Sequence, residues 1–582
     1  MIEPSSVMTI EWDVPIEMDD GIVLRADVYR PCDEGQYPVI LSCGPYGKGL
    51  AFQEGYPDQW QLMVAEHPDV AAGSSNRYQN WEACDPEKWV PDAYVCARID
   101  SRGTGRSAGY IDHFSSRETC DLYECIEWAA TQPWSTGKVG LSGISYLAMN
   151  QWQVAALRPP HLVAMIPWEA AADWYRDSTH HGGLLSTFMD NWYGIQVLAV
   201  QHGLGTRGPV NANTGELVAG PETLSDEELA ANRCRLGDEI LAHPLDDDYH
   251  RERSTDWSRV IVPFLSAGNW GGHGLHLRGN TEAFVRAASS AKWLELHGLE
   301  HWTHYYTDYG VGLQKLFFEH YLKGVDNGWQ DRPPVLLNVR GVDAFVQRSE
   351  AEWPLARTLW TRLYLDPERL QLIGQPLSAE AVVSYEVLDD GVTFMSSAFE
   401  QETEITGPVA ARLFVSSDTV DADAFAVLRL YDPDGDEIVF AGAVDPHMPL
   451  AQGWLRASHR KLDPALSTEY RPYHTHDEPQ ALEPGEVYQL DVELWPTSIV
   501  VPVGYRIALT VRGKDYEYEG DEGAAHLTTF HNELRGCGPF IHDDLRDRPS
   551  HTLGGINRLH CGGPCDAYLL LPIVPLAEEN GE

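Results

Sequence analysis

The sequence of 582 residues is short of positive charge, with 42 lysines and arginines against 87 aspartates and glutamates and a formal net charge of −45. A surface this acidic repels nucleic-acid phosphates and anionic lipid headgroups, so we expect neither partner. Long apolar runs are missing as well, and no stretch reaches the length that spans a bilayer. Residues 1–20 carry no basic patch followed by an apolar run. No export signal is therefore predicted, and a cytoplasmic protein with reduced thiols is expected.

Metal-binding patterns are also lacking. Among the ten cysteines, Cys561 and Cys565 stand four residues apart, but no second pair lies at zinc-ligand spacing. The acidic turn Asp432–Asp436 resembles part of a calcium loop without the glutamate that would complete it, which favours a plain hairpin turn. We therefore predict structural thiols and no bound metal.

The residue pattern changes clearly along the sequence. A chain of 582 residues is also too long for a single core. In residues 1–172 and 257–345, strand-like and helix-like segments alternate, which indicates a parallel sheet covered on both faces. Residues 173–256 mix aromatic, polar and helical stretches and are interpreted as an inserted helical cap. Residues 346–582 hold many short strands separated by turns, which favours a β-sandwich of the jelly-roll type.

The strongest chemical signal is the segment 143–148, Gly-Ile-Ser-Tyr-Leu-Ala. A predicted strand leads directly into a predicted helix with Ser145 at the bend, as in the nucleophile turn of α/β-hydrolases. The helix N-terminus would direct partial positive charge at the reacting oxygen. Leu147 stands where the motif G-x-S-x-G has its second glycine, so the segment alone also fits an ordinary turn with a surface serine.

Further segments accompany this turn in a consistent order. They are 18–31, 44–48 (Gly-Pro-Tyr-Gly-Lys), 100–109 and 504–511. Together with 143–148 they resemble the cocaine-esterase / Xaa-Pro dipeptidyl-peptidase family of α/β-hydrolases over nearly the whole chain. The resemblance implies an α/β-hydrolase core with an inserted helical cap and a C-terminal jelly-roll domain. It also implies a serine hydrolase that needs no cofactor.

Residue roles follow from the resemblance. Ser145 takes the place of the nucleophile, and the backbone N–H of Tyr146 and the hydroxyl of Tyr46 take the places of the oxyanion donors. A phenol suits this task because it can donate one hydrogen bond in a water-poor site. Arg102 and Asp100 in the segment 100–109 are interpreted as braces of the core.

The general base must follow a late strand, and residues 293–297 form that strand in the sequence pattern. His301, in the loop that follows, fits the family position of the catalytic histidine. His304 is the competing choice, and His297, inside the strand pattern, is interpreted as structural.

The acid departs from the family pattern. The family carries an aspartate soon after the preceding strand, and that position falls on Gly271, with no carboxylate nearby. The acid must hold the imidazole in place, which constrains geometry and not chain position. Glu169 follows the neighbouring strand 161–167, so we predict it as the acid, against a surface or cap-contact role. Glu300 and Asp308 are weaker alternatives because they lie too close in the chain to His301.

Aromatic residues crowd the expected pocket, and we predict that some of them bind substrate: Trp168, Trp174, Trp270 and Trp302. The predicted activity is hydrolysis of small-molecule carboxylic esters through an acyl-enzyme, with amides as further candidate substrates. Alternatives are an Xaa-Pro dipeptidyl-peptidase, an acylase-type amidase, or a non-catalytic binding protein on a hydrolase scaffold. A carbohydrate-binding role for the jelly-roll domain is a weaker idea. Such a fold is also compatible with a homo-oligomer.

Overall fold

The computed structural model describes residues 2–4, 8–520 and 534–575. The first domain is built on an eleven-stranded sheet. Its strands in chain order are β1 (Ile2–Pro4), β2 (Met8–Glu17), β3 (Val23–Pro31), β4 (Tyr37–Gly44), β5 (Val95–Asp100), β6 (Ser135–Ile144), β7 (Leu162–Trp168), β8 (Phe264–Asn269), β9 (Lys292–His297), β10 (Val335–Arg340) and β11 (Phe345–Glu350). In space they follow the order β1-β2-β3-β5-β4-β6-β7-β8-β9-β10-β11.

Neighbouring strands from β5 to β10 in this order are parallel, as the alternating sequence pattern predicts. Parallel strands end at the same edge, so the residues that follow β6, β7, β8 and β9 meet there. The edge strand β11 pairs antiparallel with β10. The core sheet therefore continues slightly past residue 345, where the sequence pattern placed its end.

Helices cover the sheet. The longer ones are Pro57–Glu66, Ser116–Ala130, Tyr146–Leu157, Leu277–Arg286 and Asp308–Phe318, and shorter ones are Phe52–Gly55, Pro86–Trp89 and Thr303–Tyr306. Ser115 caps the helix Ser116–Ala130 by accepting a hydrogen bond from the Glu118 N–H. The helix Tyr146–Leu157 is buried nearly all round, which fits its position between the sheet and the other elements.

Residues 173–256, which the sequence analysis interprets as an inserted cap, form short helical segments. They are Trp174–Thr179, Phe188–Trp192, Tyr193–Val197, Leu198–Val200, Gly205–Arg207, Asp226–Ala231, Leu236–Ala242 and Asp248–Arg251. A small hairpin pairs His180–His181 with Leu184–Leu185. None of the helices in the described residues is long and apolar enough to cross a membrane.

The C-terminal region is a β-domain with its own hydrophobic core. Its strands are Leu359–Asp366, Gln371–Ile373, Ala381–Glu386, Val392–Met395, Thr403–Ser417, Asp423–Tyr431, Glu437–Ile438, Ala451–Arg456, Tyr488–Val501, Arg506–Arg512, Ile556–Cys561 and Tyr568–Val574. The strand Thr403–Ser417 pairs with Tyr488–Val501 on one side and with Tyr568–Val574 on the other. Tyr568–Val574 also pairs with Leu359–Asp366, at the other end of the strand order. The sheet therefore closes into a barrel. The jelly-roll arrangement stays a prediction.

The acidic turn Asp432–Asp436 is a hairpin turn between two antiparallel strands, as predicted. One carboxylate oxygen of Asp432 accepts the backbone N–H groups of Asp434, Gly435 and Asp436, each at 2.9 Å. All ten cysteines have free thiols.

Candidate active site

Ser145 lies at the turn between β6 and the helix Tyr146–Leu157, with φ 54° and ψ −117°. A non-glycine residue with positive φ is strained, and such strain is found where a side chain must be presented for function. The N–H of Ser145 donates to the carbonyl oxygens of Trp168 and Glu169, both at 3.1 Å. The backbone of the turn is therefore tied to the end of β7.

Leu147 fits at the position of the missing glycine because two neighbouring glycines leave room for it. A Cβ on Gly143 would lie 2.4 Å from the Leu147 Cβ, and one on Gly44 would lie 2.2 Å from its Cδ2. The turn thus stays tightly packed. Leu147 is large where the motif has a glycine, and Gly143 and Gly44 are small where they face it.

Glu169 follows β7 directly and has a positive φ of 49°. Its N–H donates to the Ala267 carbonyl at 2.6 Å, and its side chain is fully buried. The carboxylate oxygen Oε1 accepts from His297 Nε2 at 3.0 Å and from Asn269 Nδ2 at 3.2 Å. Its other oxygen, Oε2, faces two further imidazoles.

Those imidazoles belong to His276 and His301, whose Nδ1 atoms lie 3.9 Å and 3.7 Å from Glu169 Oε2. Their rings are nearly parallel, with 6° between the planes and 5.3 Å between centroids. The structure thus brings His301 to Glu169 as the sequence predicts. It also places His276, which the sequence analysis did not single out, beside them.

The contact to the serine is made by His276. Its Nε2 lies 3.1 Å from Ser145 Oγ. The corresponding atom of His301 lies 3.2 Å from Oε1 of Glu82, a second buried carboxylate that the sequence analysis missed. Glu82 is joined to the turn through its carbonyl, which accepts the Ile144 N–H at 3.0 Å.

The charges of this cluster differ sharply. Burial alone would raise the pKa of Glu169, but the hydrogen bond from His297 and the contact with His301 lower that pKa to about 2. Burial opposes the charged form of His301 too, yet Glu169 and Glu82 raise the pKa of His301 to about 9. Burial lowers the pKa of His276 to about 3, and the neighbouring charge of His301 acts in the same direction. At neutral pH His301 is therefore cationic and His276 neutral.

His297 braces this cluster, in line with its predicted structural role. Its Nδ1 lies 2.6 Å from Glu295 Oε2, while its Nε2 holds Glu169. Burial works against its charged form, but the two carboxylates raise the pKa of His297 to about 10. The imidazolium of His297 fixes one oxygen of Glu169 and leaves the other for His276 and His301.

The position of the family's aspartate, Gly271, has no room for a side chain. A Cβ there would lie 2.3 Å from the Cα of Gly442, in a loop of the C-terminal domain. The N–H of Ala443 in the same loop donates to the Gly271 carbonyl at 3.1 Å, and the Ala443 carbonyl accepts the His301 N–H at 2.9 Å. The C-terminal loop therefore fills the space of the absent carboxylate and holds the backbone of His301.

Both predicted oxyanion donors lie at the site. Tyr146 is the first residue of its helix, so its N–H has no acceptor within the helix. Tyr46 lines the same cavity as Ser145, and burial together with the charge of Glu82 raises the pKa of its phenol well above the usual value. The Tyr46 hydroxyl therefore keeps its proton and can donate.

The cavity in front of Ser145 is narrow, with a volume of about 30 Å³, which is room for about two water molecules. Its walls come from the core, the cap and the C-terminal domain, and they are mainly apolar. They include Trp81, Phe188, Trp192, Leu275, Trp302, Val444, Pro539 and Phe540, with Gln59 and Gln196 as polar members.

Of the four tryptophans predicted at the pocket, Trp302 lines this cavity. The others are packed elsewhere in the part of the chain that the structure describes. Trp168 contacts the rings of His297 and Tyr305, and Trp174 packs on Phe114. Trp270 donates its indole N–H to the Asn338 carbonyl at 2.8 Å.

The alternative base and acids lie apart from the serine. The ring of His304 packs against His297, and burial lowers its pKa to about 3. Glu300 accepts a hydrogen bond from Thr303 Oγ1 at 3.0 Å, and Asp308 is exposed at the start of a helix. Arg102 and Asp100, the predicted braces, are engaged with Asp121 and Lys48 respectively.

The ligand atoms of Glu169, His276 and His301 lie within 4.8 Å of one another, a spacing that a metal ion can use. We assign no ion to them, because His276 already contacts Ser145 and the charges of the two histidines and the carboxylate account for the arrangement. We therefore expect dialysis against EDTA to leave the catalytic rate within about two-fold of its starting value, as for sites that react through a serine without a metal. A loss of activity that Zn²⁺ restores would contradict this assignment.

A parallel sheet with a strained serine at a strand–helix turn, touched by an imidazole and backed by a buried carboxylate, defines the class of α/β-hydrolase-type serine hydrolases. Family models agree: residues 20–306 match the X-Pro dipeptidyl-peptidase (S15 family) model, and residues 327–570 match its C-terminal non-catalytic domain. The chain belongs to the CocE/NonD family of hydrolases, which includes cocaine esterase and the Xaa-Pro dipeptidyl-peptidases.

Individual relatives cover almost the whole chain. A CocE/NonD family hydrolase of Staphylococcus aureus has 33% sequence identity and a TM-score of 0.82, over 97% of this chain and 94% of that one. The cocaine esterase of Rhodococcus sp. (strain MB1 Bresler) is 25% identical over 97% of this chain and 98% of its own length. An aminopeptidase from a Thaumarchaeota archaeon shares the fold, with 15% identity, a TM-score of 0.68 and 98% coverage of both chains.

Proposed function

We propose that this protein is a serine esterase that hydrolyses small carboxylic esters through an acyl-enzyme on Ser145. The observation that carries the proposal is the contact of Ser145 Oγ with a buried imidazole at 3.1 Å, at a strained turn beside the Glu169 carboxylate. Glu169 serves as the acid that stabilises imidazolium, and Tyr46 and the Tyr146 N–H serve as the oxyanion donors.

The reaction proceeds in two halves. Ser145 Oγ attacks the carbonyl carbon as its proton passes to an imidazole nitrogen, and the carbonyl oxygen becomes an oxyanion. The intermediate collapses, the bond to the leaving oxygen breaks, and the imidazolium returns its proton to the alcohol. Water then repeats these steps on the acyl-enzyme and releases the acid.

The substrate class follows from the cavity. Its walls are mainly aromatic and aliphatic, so they favour an apolar acyl or alcohol group of modest size. We therefore propose that the protein binds a small neutral ester and neither a nucleic acid nor a membrane surface. The acidic composition is consistent with that choice.

An amide-cleaving role is the second candidate. It is favoured by Glu82, a buried carboxylate at the wall of the cavity. A buried carboxylate oxygen can accept from an amine or amide N–H of a substrate. A dipeptidyl p-nitroanilide with proline in the second position, compared with p-nitrophenyl acetate and butyrate, separates the two candidates.

The proposal is tested by intact-mass measurement after treatment with a fluorophosphonate, on the wild type and on Ser145→Ala in parallel. We expect one adduct on the wild type, none on the variant, and loss of ester hydrolysis in the variant. A wild-type protein that remains unlabelled would instead support a non-catalytic binding protein on the same scaffold.

A further inference from the structure

Two histidines lie beside Glu169, and they differ in what their second nitrogen contacts. His301 has carboxylates on both sides, with Glu169 Oε2 3.7 Å from its Nδ1 and Glu82 Oε1 3.2 Å from its Nε2. An imidazole between two carboxylates carries a proton on each nitrogen. It then has no free electron pair with which to accept the proton of a serine.

His276 has the complementary arrangement. Its Nδ1 faces Glu169 Oε2 at 3.9 Å, and its Nε2 faces Ser145 Oγ at 3.1 Å. With one proton on Nδ1, directed at the carboxylate, the Nε2 electron pair is directed at the serine hydroxyl. The long contact to Glu169 is of the kind that tightens once substrate binds.

We infer that His276 is the general base and acid of the reaction, and that His301 is a positioning residue held as an imidazolium between Glu169 and Glu82. The inference rests on the proposed serine-hydrolase function and assigns its proton carrier. In each half-reaction the proton of Ser145 Oγ–H, or later of water, moves to His276 Nε2. It then moves on to the leaving alcohol, or back to Ser145 Oγ.

The placement of His276 follows from its local structure. It lies in the loop after β8 and directly precedes the helix Leu277–Arg286, at the edge of the sheet where the ends of β6 and β7 also meet. The residue is buried, 3% exposed. Its surroundings are the carboxylate of Glu169, the cation of His301 and the hydroxyl of Ser145, so no other charged contact competes for its Nε2 among the residues that the structure describes.

The role of His301 is electrostatic. Its cation lies beside Glu169 and balances the second buried carboxylate, Glu82. It also keeps His276 neutral at working pH, because a second positive charge 5.3 Å away between ring centroids is unfavourable. Removing that cation should raise the pKa of His276, so the acid limb of the rate profile should move to higher pH.

The test compares His276→Gln and His301→Gln as a matched pair, with kcat/KM for p-nitrophenyl butyrate measured from about pH 8 to about pH 5. We expect His276→Gln to lose at least about 1,000-fold at every pH. We expect His301→Gln to lose up to about 100-fold and to fall off towards acid within a range where the wild type is flat. Thermal unfolding of all three proteins reports whether each variant folds.

A second pair of variants tests the same assignment by rescue, so that a loss of rate caused by poor folding is not mistaken for a lost base. Added imidazole should restore at least about ten-fold of the lost rate to His276→Ala, because it can occupy the vacated space and accept the proton. It should restore little to His301→Ala. If His301→Gln is the inactive variant, or imidazole rescues His301→Ala instead, or both glutamine variants lose activity equally, the assignment to His276 is overturned. The proposed function itself fails only if the wild type takes no fluorophosphonate.

Discussion

Glu169→Gln is expected to lower kcat by about 1,000- to 10,000-fold, as amide replacements of a triad acid do. A glutamine would direct an NH₂ group at one of the N–H donors that now meet the carboxylate, from His297, Asn269 or the facing imidazoles. It would also remove the negative charge that stabilises imidazolium in the transition state. Steady-state hydrolysis of p-nitrophenyl butyrate measures the effect.

Glu300→Gln is the matched control, since Glu300 lies next to His301 in the chain and its carboxylate accepts a hydrogen bond from Thr303. Its rate should stay within about three-fold of the wild type, as is usual for a residue that does not contact the reacting groups. If Glu169→Gln kept more than a tenth of the wild-type kcat while Glu300→Gln lost its activity, the acid would have to be reassigned to Glu300.

Gly271→Ala is expected to reduce stability by about 2 to 3 kcal/mol, in the upper range for an overpacked site. The added Cβ would lie 2.3 Å from the Cα of Gly442, and backbone atoms cannot turn away as a flexible side chain can. The loop must then move, and with it the Ala443 carbonyl that holds the N–H of His301. The urea midpoint and kcat should therefore fall together.

Gly312→Ala serves as the control for this substitution. Gly312 lies within the helix Asp308–Phe318, and a Cβ there meets nothing within 4 Å. Alanine at such a position should raise stability by about 0.5 to 1 kcal/mol. A stable, active Gly271→Ala, or an active Gly271→Asp, would show that the loop of the C-terminal domain yields easily and that the missing aspartate needs another explanation.

Much of the fold could be predicted because the sequence pattern is local. The alternation of strands and helices and the turn at Ser145 depend on neighbours in the chain. Glu169 could be reached by a different route. The usual position of the acid is Gly271, which has no carboxylate. Because adjacent parallel strands end at the same edge of the sheet, a residue at the end of β7 could take its place.

His276 and Glu82 escaped because nothing in the local sequence marks them. Glu82 lies in a segment without regular structure, and its position depends on a backbone contact with Ile144. His276 stands five residues beyond Gly271, the position of the family's aspartate, and an isolated histidine carries no motif. A search of every polar residue after each parallel strand, for bases as well as acids, could have found it.

The pocket tryptophans show a further limit of sequence reasoning. Trp168 and Trp270 follow or end the right strands, but large rings at these places fill the core beneath the site. The cavity wall is built in part by Val444 and Phe540, which are distant in sequence. Such contacts depend on the packing of two domains, which periodicity within one segment does not reveal.

The loop that reaches from the C-terminal domain to Gly271 and His301 also sets the order in which the enzyme becomes competent during synthesis. The hydrolase core can begin to fold on the ribosome, since domains generally fold as they emerge. Its reactive serine, however, meets a finished pocket only after residues 442–444 and 539–540 have been made, and the barrel that carries them closes with the strand Tyr568–Val574. A nascent chain that ends before these residues would therefore lack part of the cavity wall and the carbonyl that accepts the His301 N–H.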